Sequence, residues 1–290
     1  MKIATAAYPL DWFSGWSGYE AKLGTWVAEA AGQGADLLVF PEYGAMELVS
    51  LSGVEVAADT RAAMQAVADR MSDANALHRD LARRHQVYIL GGSAPVRAAA
   101  GFVNRAHFHS PAGETVFQDK LILTPWERDP MQALGQGPLK LFQTGLGNIA
   151  INICYDSEFP LLSRAQSGAD LLLIPSTTEA ASGYWRVRIA ARARALEGQC
   201  VSVMASTIGA YPRLELLESS FGGGGIFVPP DGGFPADGIL ASGVVNQPGW
   251  TLAEVDLIAI RALRDQGAVR NRTDWAESQD LAPVETVDLR

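Results

Sequence analysis

At 290 residues, with 48% hydrophobic and 19% charged side chains, the chain has the makeup of a globular protein. A chain of this length can bury about three quarters of its unfolded surface. The formal charge is −9, from 23 basic and 32 acidic residues with no Lys/Arg-rich block, which argues against a nucleic-acid partner. The two cysteines, Cys154 and Cys200, are too few for a disulfide framework. No apolar stretch reaches the roughly 18 residues of a membrane span, so no membrane association is expected. The opening Met1-Lys2-Ile3-Ala4-Thr5-Ala6-Ala7 reads as a first strand and not as a signal peptide, which makes the cytoplasm the expected compartment.

Residues 3–8 predict an edge strand or the strand that opens the sheet. Residues 19–33 carry Leu23, Trp26, Val27 and Ala30 at helical spacing, and Gly32 and Gly34 close the helix. Asp36-Leu37-Leu38-Val39-Phe40 is a short apolar run ended by Pro41, as in a strand buried on both faces. Residues 59–85 predict one helix with Ala62, Met64, Val67, Met71, Leu77 and Leu81 inward. Residues 87–90 predict a strand stopped at Gly91-Gly92, and residues 102–109 and 114–123 a hairpin around Ser110-Pro111-Ala112-Gly113. A second strand pair spans 139–144 and 148–153, and Pro160 opens a short helix. Residues 170–174, 200–206, 221–229 and 250–256 predict strands, and residues 184–198 an Ala/Arg-rich helix. Its Arg186, Arg188, Arg192 and Arg194 read as surface and ion-pair residues.

One internal echo stands out. Gly34-Ala35-Asp36-Leu37-Leu38-Val39-Phe40-Pro41 resembles Gly168-Ala169-Asp170-Leu171-Leu172-Leu173-Ile174-Pro175, and each follows a helix. Two related halves are implied and not a solenoid, since the pattern occurs only twice. Alternating strands and helices with hairpins between them give an α/β fold of two mixed sheets covered by helices.

Three reactive side chains directly follow strand-like runs: Glu42, Lys120 and Cys154. Ligand sites in α/β proteins gather at strand C-terminal ends. The set suits nucleophilic attack on a carbonyl or nitrile carbon. The thiol must lose its proton, a partly buried carboxylate can take it, and an ammonium can steady the developing oxyanion. The backbone N–H of Tyr155 offers a second oxyanion donor. Other features read more plainly. Cys200 is a packing residue. His107-Phe108-His109 is a surface pair on a hairpin without a third metal ligand. Gly222-Gly223-Gly224-Gly225 lacks the ending of a phosphate loop and reads as a flexible turn.

The ordered motifs resemble the nitrilase, or carbon–nitrogen hydrolase, superfamily, in its amidase-like branch. The resemblance rests on Phe40-Pro41-Glu42, on Asp119-Lys120-Leu121-Ile122-Leu123-Thr124-Pro125-Trp126-Glu127-Arg128, on Asn152-Ile153-Cys154-Tyr155-Asp156-Ser157-Glu158-Phe159-Pro160, and on Arg192-Ala193-Arg194-Ala195-Leu196-Glu197-Gly198-Gln199. It runs over most of the chain. It implies a four-layer αββα sandwich with helices outside, a Glu42–Lys120–Cys154 triad, Glu127 as a supporting carboxylate and no cofactor or metal. Homodimers or larger homo-oligomers are the implied assemblies. Tyr43, Trp126, Glu158 and Thr178 are candidate substrate-binding residues, and the loop from Ser176 to Trp185 should border the pocket. Residues 1–267 form the expected hydrolase domain; residues 268–290 form a C-terminal tail packing on it or on a partner subunit. Many members carry Arg where Glu158 stands and Glu where Leu161 stands, so substrate preference does not transfer from them.

The expected reaction is hydrolysis of a small non-peptide carboxamide to carboxylate and ammonia through a Cys154 thioester. A nitrile or N-carbamoyl compound is the alternative substrate, because the same triad serves all three. A non-catalytic binding protein on this fold is the alternative of a different class; it would be expected to lose triad members, and here all three are present.

Overall fold

The computed structural model describes residues 1–135, 137–279 and 283–290. Its first half contains β1 (Lys2–Pro9), α1 (Trp16–Gly32), β2 (Leu37–Val39), α2 (Thr60–Ala68), α3 (Met71–His85), β3 (Tyr88–Ala98), β4 (Gly101–His109) and β5 (Thr115–Asp119). Its second half contains β6 (Phe142–Thr144), β7 (Gly147–Ile151), β8 (Leu171–Ser176), α4 (Ala181–Gly198), β9 (Val201–Ala210), β10 (Gly225–Phe227), β11 (Ile239–Ser242), β12 (Gly249–Glu254) and α5 (Leu257–Gln266). Short helical turns fill the connections.

The strands run β5-β4-β3-β2-β1-β9-β8-β7-β6. Period-two alternation sorts their side chains onto two faces. Ala4, Leu38, Phe40 and Ile89 pack with Leu23 and Val27 of α1, Met64 and Val67 of α2, and Leu81 of α3. Ile3, Leu37, Val39 and Leu90 point the other way and share a core with Ile149, Ile151 and Leu173 of the second half. Val187, Ala191 and Ala195 of α4 close that core from outside. The result is the expected order of helix, sheet, sheet, helix. The two sheets, however, are lobes of one curled hydrogen-bonded sheet. They join where β1 runs parallel to β9, Ala7 opposite Ser206 and Tyr8 opposite Thr207.

That junction corrects the reading of residues 3–8 as an edge or opening strand. β1 is central, flanked by β2 and β9 in the sheet and paired antiparallel with β12. Its run of small residues, Ala4, Thr5, Ala6 and Ala7, is buried and lets neighbours pack on both faces. The predicted helix over 59–85 is two helices, α2 and α3. The backbone turns at Arg70, whose guanidinium donates to the carbonyls of Ala66 and Leu51. Nor does β3 stop at Gly91-Gly92. It passes through them with a register shift between Leu90 and Ser93. Gly92 has φ +79°, and a Cβ there would lie 2.3 Å from the Pro41 carbonyl oxygen. The glycine therefore permits a close backbone approach and does not end the strand. Close packing also explains Gly222–Gly225, which are buried and not a flexible turn. A Cβ on Gly222 would sit 2.3 Å from the Ser206 Cβ.

The echo is a structural repeat. Asp36 N donates to Lys2 O, Lys2 N to Asp36 Oδ2, and Tyr88 N to Asp36 O. In the second half Asp170 N donates to Asn148 O, Asn148 N to Asp170 Oδ2, and Val201 N to Asp170 O. Beyond α5 the chain continues over the second half. Arg272 N donates to Gln199 Oε1 at 3.2 Å, and the Arg164 guanidinium faces the Trp275 ring. Among the described residues no helix is long and apolar enough to cross a membrane.

Candidate active site

Each reactive side chain is held at the end of a strand. Pro41 ends β2, and the chain is then clamped against the β3 bulge. Phe40 N donates to Leu90 O at 2.9 Å, Ser93 N to Pro41 O at 3.3 Å, and Tyr43 N to Ser93 Oγ at 3.2 Å. Tyr43 takes a left-handed backbone, φ 55°, which turns the chain sharply after Glu42. Lys120 leaves β5 with its N–H on Asn104 O at 2.9 Å. Cys154 follows β7 and also has a left-handed backbone, φ 49°. A non-glycine residue in that region stores strain of about 1–3 kcal/mol, a cost the surroundings must offset. Here Ser157 Oγ donates to Cys154 O at 2.6 Å, and Arg194 Nη1 to Ser157 O at 3.1 Å.

The three side chains converge. Lys120 Nζ lies 2.8 Å from Glu42 Oε1 and 2.7 Å from Glu127 Oε2. The Cys154 thiol donates to the Thr177 carbonyl at 3.5 Å, and the Thr177 N–H donates to Glu42 Oε2 at 3.0 Å. One residue's backbone thus touches both sulfur and carboxylate. Asn104 Nδ2 donates to Glu42 Oε1 at 2.9 Å and to Glu127 Oε1 at 3.2 Å. Glu127 also accepts from the Tyr43 hydroxyl at 3.0 Å and from Thr124 Oγ1 and Thr124 N, the last paired with the Glu127 N–H donating to Thr124 Oγ1 as a capping box on the turn Pro125–Arg128.

Glu42, Lys120, Glu127 and Cys154 are all at most 5% exposed, so their charges are felt at close to full strength. Burial pushes the Glu42 carboxyl above its usual range, with repulsion from Glu127 adding to it and Lys120 only partly opposing. Burial acts on Glu127 too, but Lys120, the Thr124 N–H and Asn104 outweigh it and the carboxyl is held low. Burial disfavours the Lys120 ammonium, yet the two carboxylates prevail and keep it charged. The Cys154 thiol is pushed well up by burial and then by the Glu42 charge. Two carboxylates share one ammonium, and their environments drive their proton affinities apart.

Above this cluster opens a cavity of about 480 Å³. Tyr43, Trp126, Tyr155, Glu158 and Thr178 line it together with Glu42, Lys120, Glu127 and Cys154, so the nine candidate site residues border one cavity. The loop after β8 borders it, through Thr177 to Ala180, Ser182 and Gly183. So does a segment that the sequence reading missed, from Glu215 to Ser219 after β9. Asn104 and Thr177 were also missed: one is a mid-strand amide, the other acts through its backbone. Asp156 escaped as well. Its carboxylate accepts the N–H groups of Leu121 and Ile122, tying the Lys120 segment to the Cys154 turn, and burial pushes its pKa up to about 6.

Some readings need correction. His109 is fully buried, not on the surface, with its ring stacked on His78 at 5.6 Å and Nδ1 against Thr115 Oγ1. Arg188 and Arg194 are 6% exposed. They serve the interior through Tyr184, Ser242 and Ser157, because α4 presents that face to the sheet. Cys200 is buried, and burial raises its thiol to about 11.

The sequence profile of the Carbon-nitrogen hydrolase family matches residues 2–264, and the chain belongs to that family. It is 33% identical over 276 residues to a protein of Bacillus subtilis (strain 168) named Probable hydrolase YhcX, covering 94% of this chain and 53% of that relative. The chain therefore spans about half of that relative's length. A deaminated glutathione amidase of Synechocystis is 28% identical over 203 residues, 64% of this chain and 70% of the relative. Among solved structures, Saccharomyces cerevisiae Nit3, a nitrilase-superfamily member, superposes with a TM-score of 0.70 at 17% identity, over 91% of this chain and 93% of Nit3. An amidase from Nesterenkonia gives 0.65 at 22% identity, over 96% and 95%. These likenesses carry the fold, and the family model places the chain in the carbon–nitrogen hydrolase family.

Proposed function

We propose that this hydrolase cleaves a small non-peptide carboxamide to carboxylate and ammonia through a thioester on Cys154. The observation that carries the reading is geometric: Glu42 meets Cys154 through the backbone of Thr177 and lies 2.8 Å from Lys120, whereas Glu127 is engaged by Lys120, Tyr43, Asn104 and Thr124. Glu42, whose proton affinity burial raises, is the base; Glu127, held low by these partners, is a fixed anion that orients Lys120. Glu42 takes the thiol proton as sulfur attacks the carbonyl carbon. The oxyanion forms against the Lys120 ammonium and the Tyr155 N–H. Collapse breaks the C–N bond, and the proton returns from Glu42 to the leaving ammonia. A water then gives a proton to Glu42 as it attacks the thioester; the C–S bond breaks, Glu42 returns the proton to the sulfur, and the acid leaves. Tyr43, Trp126, Glu158 and Thr178 would form the walls that hold the rest of the substrate.

Relatives named as amidases favour an amide over a nitrile or an N-carbamoyl compound, which the same groups could attack. Product analysis separates the last from the others, since a carbamoyl substrate yields carbon dioxide as well as ammonia. The Cys154→Ala variant should lose ammonia release by about 10⁴-fold or more. Mass spectrometry should find an acyl adduct on the native chain during turnover and none on this variant. Turnover that survives this substitution would remove the proposal.

A further inference from the structure

We infer that the cavity selects amides bearing a positive charge at the end remote from the scissile carbonyl; this deepens the amidase reading and rests on it. Beyond the catalytic floor the cavity wall carries Glu158, Glu179, Glu215 and Glu218, drawn from three separate segments. These are the turn holding Cys154, the loop after β8 and the segment after β9. Against them, among the described lining residues, stands Arg186. It is 59% exposed and 3.4 Å from Glu158, a loose pair; Glu179, Glu215 and Glu218 stand exposed at the cavity mouth, where their charges are screened by salt but share one sign. The floor adds nothing positive, because Lys120 is held between Glu42 and Glu127.

An amide with a distal carboxylate would therefore enter a concave, negatively lined space in which both cations are already engaged. A distal ammonium or guanidinium would be drawn in by the same field and could settle against Glu158. That side chain is 19% exposed, and it projects from the turn that begins with the nucleophile. Clefts lined by one sign of charge concentrate ligands of the opposite sign and speed their capture.

The test uses alkanamides of one chain length ending in an ammonium, a methyl or a carboxylate, assayed by ammonia release at low and high salt. The ammonium compound should exceed the methyl compound in kcat/KM by about tenfold, with the carboxylate compound last, and the spread should narrow with salt. In the double variant Glu158→Gln, Glu179→Gln the ammonium-to-methyl ratio should collapse toward unity through KM. Equal turnover of the three, preference for the carboxylate, or an unchanged ratio in the variant would overturn the inference. A second measurement does not need turnover. Cys154 is alkylated with bromoethylammonium, iodoacetamide and iodoacetate, each rate normalised to a free thiol. The order should be cation, neutral, anion. If no amide releases ammonia, the amidase reading fails, and the alkylation order still decides the charge preference by itself.

Discussion

Glu42 and Glu127 share an ammonium but not an environment, and kinetics should register the difference. Glu42 must be ionised to accept the thiol proton, and its carboxyl is raised above its usual value of 4.5. The rate kcat/KM should therefore climb with pH along an acid limb displaced above that value. Glu42→Gln should erase the limb and cut the rate by about 10²–10⁴-fold. A pH profile of ammonia release on the two proteins checks both points, and a limb that persists in the variant would assign it to another group. The candidate triad was legible because Glu, Lys and Cys each stand at the end of a strand within a distinctive local motif. Asn104 and Thr177 were not. An amide inside a strand carries no local pattern, and a backbone N–H and carbonyl are common to almost every residue, so their roles exist only after folding.

At the scale of elements, the clamp between β2 and the β3 bulge sets where Glu42 points. Gly92→Ala combines an unfavourable φ with a clash against the Pro41 carbonyl. It should destabilise by about 1–3 kcal/mol and lower ammonia release per folded molecule, read by denaturant melts and active-site titration. The histidines where α3 meets the β4 side of the hairpin supply a second expectation. Burial lowers His78 and His107 to about 4 and holds His109 well below its usual value. In the unfolded chain these groups sit near 6.5, so that state binds more protons as pH falls below that point. Stability should fall as pH drops from about 6.5, and the contributions of His78 and His107 should flatten below about pH 4. Urea melts across that range check it, and His78→Phe should shallow the slope. The repeat of Gly34–Pro41 in Gly168–Pro175 was readable because both strands are buried on two faces and need unbroken apolar runs. The glycine pair in β3 misled because a bulge and a strand end look alike until the partner backbone is in view.

For the whole molecule, two helix-covered mixed sheets followed from the alternation of elements and the αββα order from the family resemblance, but the continuity of the sheet followed from neither. Nothing in residues 3–8 distinguishes a central strand from a marginal one until β9 and β12 arrive from far along the chain. Residues 268–279 add Arg272 to Gln199 and Trp275 to Arg164 on the outside of the second lobe. Removing residues 268–290 should lower Tm by about 2–4 °C per kcal/mol lost while leaving a folded enzyme, measured by calorimetry and ammonia release. The duplicated hydrogen-bond frame has its own consequence. The register that sets Leu37 beside Ile3 and Leu171 beside Ile149 makes Ser176 the counterpart of Glu42, and Tyr8 the counterpart of Cys154. The proposed proton acceptor thus lies on one copy and the proposed sulfur nucleophile on the other. If the proposed chemistry holds, neither lobe would carry it alone, and the junction at β1 is what brings the two halves of the reagent together.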